Sequence, residues 1–399
     1  MQSLNQKQKI TVLISGIFIE LIIGAVYAYS VIRLQLENEL NLNHTQSSIP
    51  YLTSLAVFAF MVMLSGRLMQ KTNFYIFSII GILAIGLGYI TAAYANHYLI
   101  FTLGHGVLIG SGVGILYGIP VQIIQTVYKK NQGFVVGLTI AGFGLSTVLV
   151  APLLNMSFQT LGFQHTLVTF GIGSTIFLFI LFWLLTRKLD ISKLYLKHHK
   201  EKVNHSKFLF TMFFIIFTLG IMFGLSMIGL TLYIGIDYYQ MPADTITIYM
   251  SLFALANGLF RPLFGYIYDR MHLKFSVILL SFLTLVVASI YVFFNPNQSW
   301  LFILTMILSW GSVGGWLSLM PTITKDIFGK NNFNRTYGHM YLSYGVAAVI
   351  GNLYTSILID SSINLSVIFV PILCISLLTM ITVSIMKIEP HHKLTQSSN

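Results

Sequence analysis

Apolar runs of membrane-crossing length recur twelve times along this chain, and they leave it few folds to choose from. With ends uncertain by a few residues, they lie at about 10–32, 48–69, 74–94, 98–124, 133–157 and 164–185, and again at about 208–235, 246–267, 274–294, 299–321, 336–359 and 364–386. A hydrocarbon core about 30 Å thick takes roughly 20 helical residues to cross, whereas a barrel strand takes only about 10. No water inside that core can satisfy a backbone N–H or C=O, so runs of this length must be helices. The expected fold class is therefore an all-α membrane protein with twelve transmembrane helices. Composition agrees: 56% of the 399 residues are hydrophobic and only 8% are charged, against roughly 25% charged in a soluble domain. The formal charge of +11 raises the question of nucleic acid. The charges, however, sit in short loops between apolar runs and form no contiguous basic surface, so no nucleic-acid partner is expected.

The runs fall into six plus six, separated by the longest connection. The expected domains are residues 1–186 and 208–399, two pseudo-symmetric six-helix halves. They are joined by a basic linker, 187–207, carrying Arg187, Lys188, Lys193, Lys197, Lys200, Lys202 and Lys207. Such a linker suits the cytoplasmic side, where it also meets anionic headgroups. With the N-terminus inside, nearly all 22 Lys and Arg residues fall in inside loops, the exceptions being Arg33 and Arg261. Outside loops instead carry Glu37, Glu39, Asp237, Asp244 and Asp360. The positive-inside rule then gives a multi-pass protein of the cytoplasmic membrane with both termini cytoplasmic. The first run follows a short basic start (Lys7, Lys9) but lacks a small-residue cleavage site and reads as a retained span. The single cysteine, Cys374, lies inside the last run and can make neither an internal disulfide nor a metal site. No cofactor and no metal are expected.

Arg261 interrupts the eighth run about eight residues before the polar pair Asp269-Arg270, roughly 12 Å deep at the helical rise. A charge at that depth costs several kcal/mol unless something negative or aqueous meets it, which marks it as functional. A guanidinium also presents a planar fork that matches a carboxylate in two bonds. The same local pattern occurs in both halves. Gly265-x-x-x-Asp269-Arg270 follows the second span of the second half, and Gly66-Arg67-Leu68-Met69-Gln70-Lys71 follows the second span of the first. Two parallel six-span repeats with a substrate bound between them is a transporter architecture.

These features resemble the major facilitator superfamily, whose members carry a Gly-x-x-x-Asp-Arg loop after spans two and eight. The first copy here is degraded, with Gln70 and Lys71 where the second has Asp269 and Arg270. Within the superfamily the chain is similar, over nearly its whole length, to the oxalate/formate antiporter family and its monocarboxylate-transporting relatives. Four stretches carry the likeness: Gly24-Ala25-Val26-Tyr27-Ala28-Tyr29-Ser30-Val31; Gly110 to Pro120; Gly133-Phe134-Val135-Val136-Gly137 with Gly142-Phe143-Gly144; and Asn257-Gly258-Leu259-Phe260-Arg261-Pro262. The resemblance implies that Arg261 binds the substrate carboxylate. Oxalate exchangers of that family add a lysine in span eleven, where this chain has Tyr344. One buried cation suits one carboxylate, so lactate, pyruvate or formate is expected ahead of oxalate.

Other residues are weighed against plainer roles. Asn257 lies one turn before Arg261 on the same face and either donates to the substrate or orients the arginine. Glu20 is the one acid well inside a span. It shares a face with Gly24 and Tyr27, and it is a proton-coupling candidate or else a protonated or cavity-solvated acid near the span's end. His105 falls off the stripe Gly106, Gly110, Val113 and Tyr117 and is expected to hydrogen-bond a neighbouring helix. Tyr27, Tyr117 and Tyr344 lie in or near the family-like stretches and are expected to close around the anion. Trp310, Trp316 and Tyr341 more often fill packing space. Asp269 and Arg270 form either a cytoplasmic latch, as the resemblance implies, or a solvated loop.

An enzyme would need paired acids, a metal cluster or an activated nucleophile, and the embedded ionisable set is essentially Glu20, His105 and Arg261. A sensor on the same scaffold ordinarily has an appended soluble domain, for which the tails leave little length. A facilitator for a neutral solute would leave Arg261 desolvated with no anion to meet. The expected function is secondary active transport of a small carboxylate by alternating access, coupled to protons, with an oxalate/formate-type exchange as the alternative. The expected partners are the carboxylate, protons or a counter-transported anion, and the lipid bilayer, with the protein working as a monomer.

Overall fold

The computed structural model describes residues 4–69, 73–189, 207–294, 298–329, 333–360 and 365–386. Most of the basic linker 187–207 lies outside them, as do Gln70 and Lys71. Among the described residues the chain is helical throughout the apolar runs and has no strand. Span one is α1 (Gln6–Ile23), a 3₁₀ turn (Gly24–Ala28) and α2 (Tyr29–Leu40); spans two and three are α3 (His44–Leu68) and α4 (Phe74–Ala93). Span four runs through the short α5 (Tyr98–Phe101), a π-helical stretch (Thr102–Ile109) and α6 (Gly110–Val127). Spans five and six form one 55-residue element, α7 (Gln132–Thr186), bent at Gly162, where φ is 76° and ψ is 174°. Span seven is α8 (Lys207–Tyr233), and spans eight and nine share α9 (Ala243–Ser289), bent at His272 with φ 62° and ψ −175°. Then come α10 (Ser299–Phe328), α11 (Phe333–Asp360) and α12 (Leu365–Ile385).

Local chemistry sets several of these ends. Asn5 accepts from the Gln8 N–H while the Gln8 side chain accepts from the Asn5 N–H, and Asn43 and Gln46 repeat the exchange before α3. Each pair satisfies two backbone donors that a helix start otherwise leaves without partners. Gly162 supplies the positive φ that turns span five into span six, a conformation open to glycine at no steric cost.

The described residues cluster into two compact units. The first comprises 1–130, 139–201 and 334–345, and the second 131–138, 202–333 and 346–399. In the first, α3 and α4 both pack on α6 and on the π-helical stretch before it. In the second, α9 packs on α10 and α12, and α8 packs on α10. Large apolar side chains also point outward, such as Ile248 at 71% and Met156 at 65% exposure. That distribution would aggregate in water and suits acyl chains.

Candidate functional site

Arg261 is fully buried in α9. Its Nη2 donates to Asn257 Oδ1 at 3.1 Å, one helical turn back. Asn257 Nδ2 in turn donates to the Trp310 carbonyl at 3.0 Å. The Trp310 indole N–H donates to Thr231 Oγ1 at 3.1 Å, and that hydroxyl donates to the Met227 carbonyl at 2.8 Å. The arginine is thus held by a chain of bonds through α10 to α8. Gly314 lets α10 come this close, because a Cβ there would lie 2.0 Å from the Asn257 carbonyl oxygen and 3.3 Å from Arg261 Cγ. Pro262 has no N–H, so the Gly258 carbonyl lacks its usual ladder donor beside the arginine. Both polar ends of the Asn257 amide make bonds here, and one of them goes to Arg261, which is an orienting arrangement.

The opening turns of α7 lie along the same face of α9. Gly133 N–H donates to Asp269 Oδ1 and Phe134 N–H to Oδ2, both at 2.8 Å. A carboxylate there satisfies donors that the helix cannot pair internally and meets the positive end of its dipole. The approach is close at two levels: a Cβ on Gly265 would lie 2.0 Å from the Gly133 carbonyl oxygen, and one on Gly137 would lie 2.2 Å from that of Arg261. Arg270 places its guanidinium 5.5 Å over the Tyr266 ring. Tyr268 donates to Asp326 Oδ2 at 2.8 Å, and Lys325, almost fully buried, donates to Gln132 Oε1. Lys325 is not among the residues that the sequence singles out.

In the first unit, Tyr27, Tyr117 and Tyr344 belong to one aromatic cluster. The Tyr27 and Tyr344 hydroxyls are 2.6 Å apart. Tyr27 meets Phe143 edge-on at 4.9 Å. Tyr117 lies 5.2 Å from Phe58, 5.3 Å from Phe143 and 5.1 Å from Tyr341, whose ring is 5.4 Å from Tyr344. Phe58 therefore joins residues the sequence had singled out. Glu20 is fully buried in the last turn of α1. The 3₁₀ turn that follows brings i and i+3 into line, so Gly24 and Tyr27 still share a face.

His105 departs from expectation. Among the described residues neither ring nitrogen has a hydrogen-bond partner; the imidazole is surrounded by Tyr29 at 4.7 Å, Phe101 at 5.8 Å and Tyr89 at 6.3 Å. The π-helical stretch shifts the helical phase around it, which a uniform α-helical count could not anticipate. Trp316 packs against α8, edge-on to Phe217 at 5.9 Å. Arg261, Asn257, Asp269 and Arg270 all belong to the second unit; Glu20 and the three tyrosines belong to the first.

Comparison with known proteins gives the same architecture. Residues 12–241 and 212–399 match the family profile described as Major Facilitator Superfamily. The "Uncharacterized MFS-type transporter YhjX" of Escherichia coli (strain K12) is 22% identical over 353 residues, 86% of this chain and 87% of that one. The "Oxalate:formate antiporter" of Oxalobacter formigenes is 25% identical over 263 residues, covering 64% of this chain and 60% of its own. "Monocarboxylate transporter 11" of Homo sapiens is 31% identical over 91 residues, 23% of this chain and 19% of its own. Among solved structures, the proton:xylose symporter XylE bound to 6-bromo-6-deoxy-D-glucose superposes with a TM-score of 0.71 at 14% identity, covering 95% of each chain, a likeness of fold. Among the described residues helices cover the apolar runs, and with profile matches spanning both halves the chain is a member of the major facilitator superfamily, a family of membrane transporters.

Proposed function

We propose that this protein carries a small monocarboxylate of the lactate, pyruvate or formate class across the cytoplasmic membrane, with both termini on the cytoplasmic side. The observation that carries the reading is Arg261, a fully buried cation held in place by Asn257 within an apolar helix. The planar fork of a guanidinium fits a carboxylate in two bonds, and a charge buried in an apolar helix is a functional candidate. Tyr27, Tyr117 and Tyr344 are further substrate-binding residues, with their phenols as donors, and Asn257 serves the substrate by orienting the arginine. Transport by halves 1–186 and 208–399 proceeds by alternating access. Glu20 takes up the coupled proton, and Asp269 and Arg270 form the cytoplasmic gate, Asp269 through its bonds to the α7 N-terminus. The working unit is a monomer.

Anion exchange is the second reading, favoured by the oxalate:formate antiporter among the relatives. Tyr344 stands against oxalate as the preferred substrate, since a tyrosine in that position brings no second positive charge. Uptake of labelled lactate into proteoliposomes separates the two. The first reading requires stimulation by an inward proton gradient and weak competition by oxalate beside formate and pyruvate. Uptake that ignores the gradient, needs an internal anion and yields readily to oxalate would establish exchange instead.

A further inference from the structure

Trp316 fills space between helices, and one of its atoms is left over. The side chain is 1% exposed, and among the described residues its indole N–H has no hydrogen-bond partner. An indole nitrogen donates and cannot accept, so only a lone pair can satisfy it. A buried donor with no acceptor loses its whole solvation, which is why native interiors hold few of them. The indole edge is clear on one side. A Cβ on Gly220 of α8 would lie 2.6 Å from Nε1 and 2.3 Å from Cε2, space that glycine leaves open. Gly220 and Trp316 line the same cavity of about 20 Å³, together with Ser281 and Thr284 of α9 and Ser376 and Thr379 of α12. All six residues belong to the second unit.

The four hydroxyls have already committed their protons. Ser281 donates to the Val277 carbonyl at 2.9 Å and Thr284 to that of Leu280 at 3.2 Å. Ser376 donates to the Leu373 carbonyl and Thr379 to that of Ile375, both at 2.9 Å. Each oxygen keeps its lone pairs and can still accept. The cavity therefore offers one donor from α10 and acceptors from α9 and α12. A methyl group or an acyl chain would fill the space but leave the N–H unmet. A ligand that accepts once and donates twice matches the set, and a volume of about 20 Å³ exceeds the roughly 10–15 Å³ that one water needs. We propose that this cavity is the binding site of a single structural water, which accepts from Trp316 Nε1 and donates to one hydroxyl of the α9 pair and one of the α12 pair. The water ties α10 to both neighbours. Trp316 lies two residues beyond Gly314, about 200° round the helix, so α10 is braced on the face opposite the one that meets Asn257 and Arg261. The site does not depend on which cargo is carried.

Ultraviolet resonance Raman spectroscopy of the purified full-length protein tests this, because one indole band moves to lower wavenumber when the N–H is hydrogen-bonded. Subtracting the spectrum of Trp316→Phe from that of the wild type isolates the indole of residue 316. Its band should lie at the bonded position. In the combined variant Ser281→Ala, Thr284→Val, Ser376→Ala and Thr379→Val, which removes the acceptors at nearly constant volume, it should move to the free position. A free band in the wild type would overturn the water site, as would a bonded band that the four substitutions leave unmoved. A density map that resolves ordered solvent gives a reading on the wild type alone. It should show a peak within hydrogen-bond distance of Nε1 and of one hydroxyl from each pair; a protein oxygen bonded to Nε1, or an empty cavity, would contradict the assignment.

Discussion

Arg261 depends on its neighbours as much as on its charge. Asn257 holds Nη2, the Trp310 carbonyl holds Asn257, and Thr231 fixes the Trp310 indole. Truncating Asn257 removes one hydrogen bond to a charged group, about 1.5–3 kcal/mol, without creating a new buried charge. Asn257→Ala should therefore raise the KM for lactate by roughly tenfold or more in proteoliposome uptake while leaving insertion normal. An unchanged KM would mean that the arginine needs no such support. Glu20 permits a separate test, because exchange and accumulation make different demands on it. Glu20→Gln should spare exchange of lactate across equal pH but abolish accumulation driven by a proton gradient; accumulation at the wild-type level would remove Glu20 from coupling.

Among the elements, the bends tell most about how sequence becomes shape. His272 ends span eight at φ 62° and ψ −175°, a region populated almost only by glycine and costing other residues about 1–3 kcal/mol. His272→Gly should stabilise the purified protein by about 1 kcal/mol, after allowing for glycine's extra freedom when unfolded. Thermal unfolding in detergent would register this as a higher midpoint, and a lower midpoint would show that the imidazole itself is needed. What was legible in the sequence follows the same physics. Apolar length marked the spans, and Asn5 with Gln8, or Asn43 with Gln46, sit at capping-box spacing. The π-helical stretch 102–109 and the 3₁₀ turn 24–28 left no comparable sign in apolar length or cap spacing. The Trp310–Thr231 bond joins residues 79 apart, and Lys325 meets Gln132 across 193; hydropathy and spacing within a run carry no information at those separations.

For the whole molecule, membership of a transporter superfamily and a twelve-helix architecture follow from apolar run length and the match of both halves to the family. The cargo is a matter of few residues, of which Arg261 is the centre. The most direct measurement is uptake of labelled lactate by proteoliposomes holding equal amounts of wild-type protein, Arg261→Lys and Arg261→Gln, each shown to be folded by thermal unfolding. The account predicts that Arg261→Gln loses carboxylate uptake altogether. Arg261→Lys, which keeps the charge but not the fork, should retain a small fraction at a much higher KM. Wild-type uptake by Arg261→Gln would contradict the account at its centre.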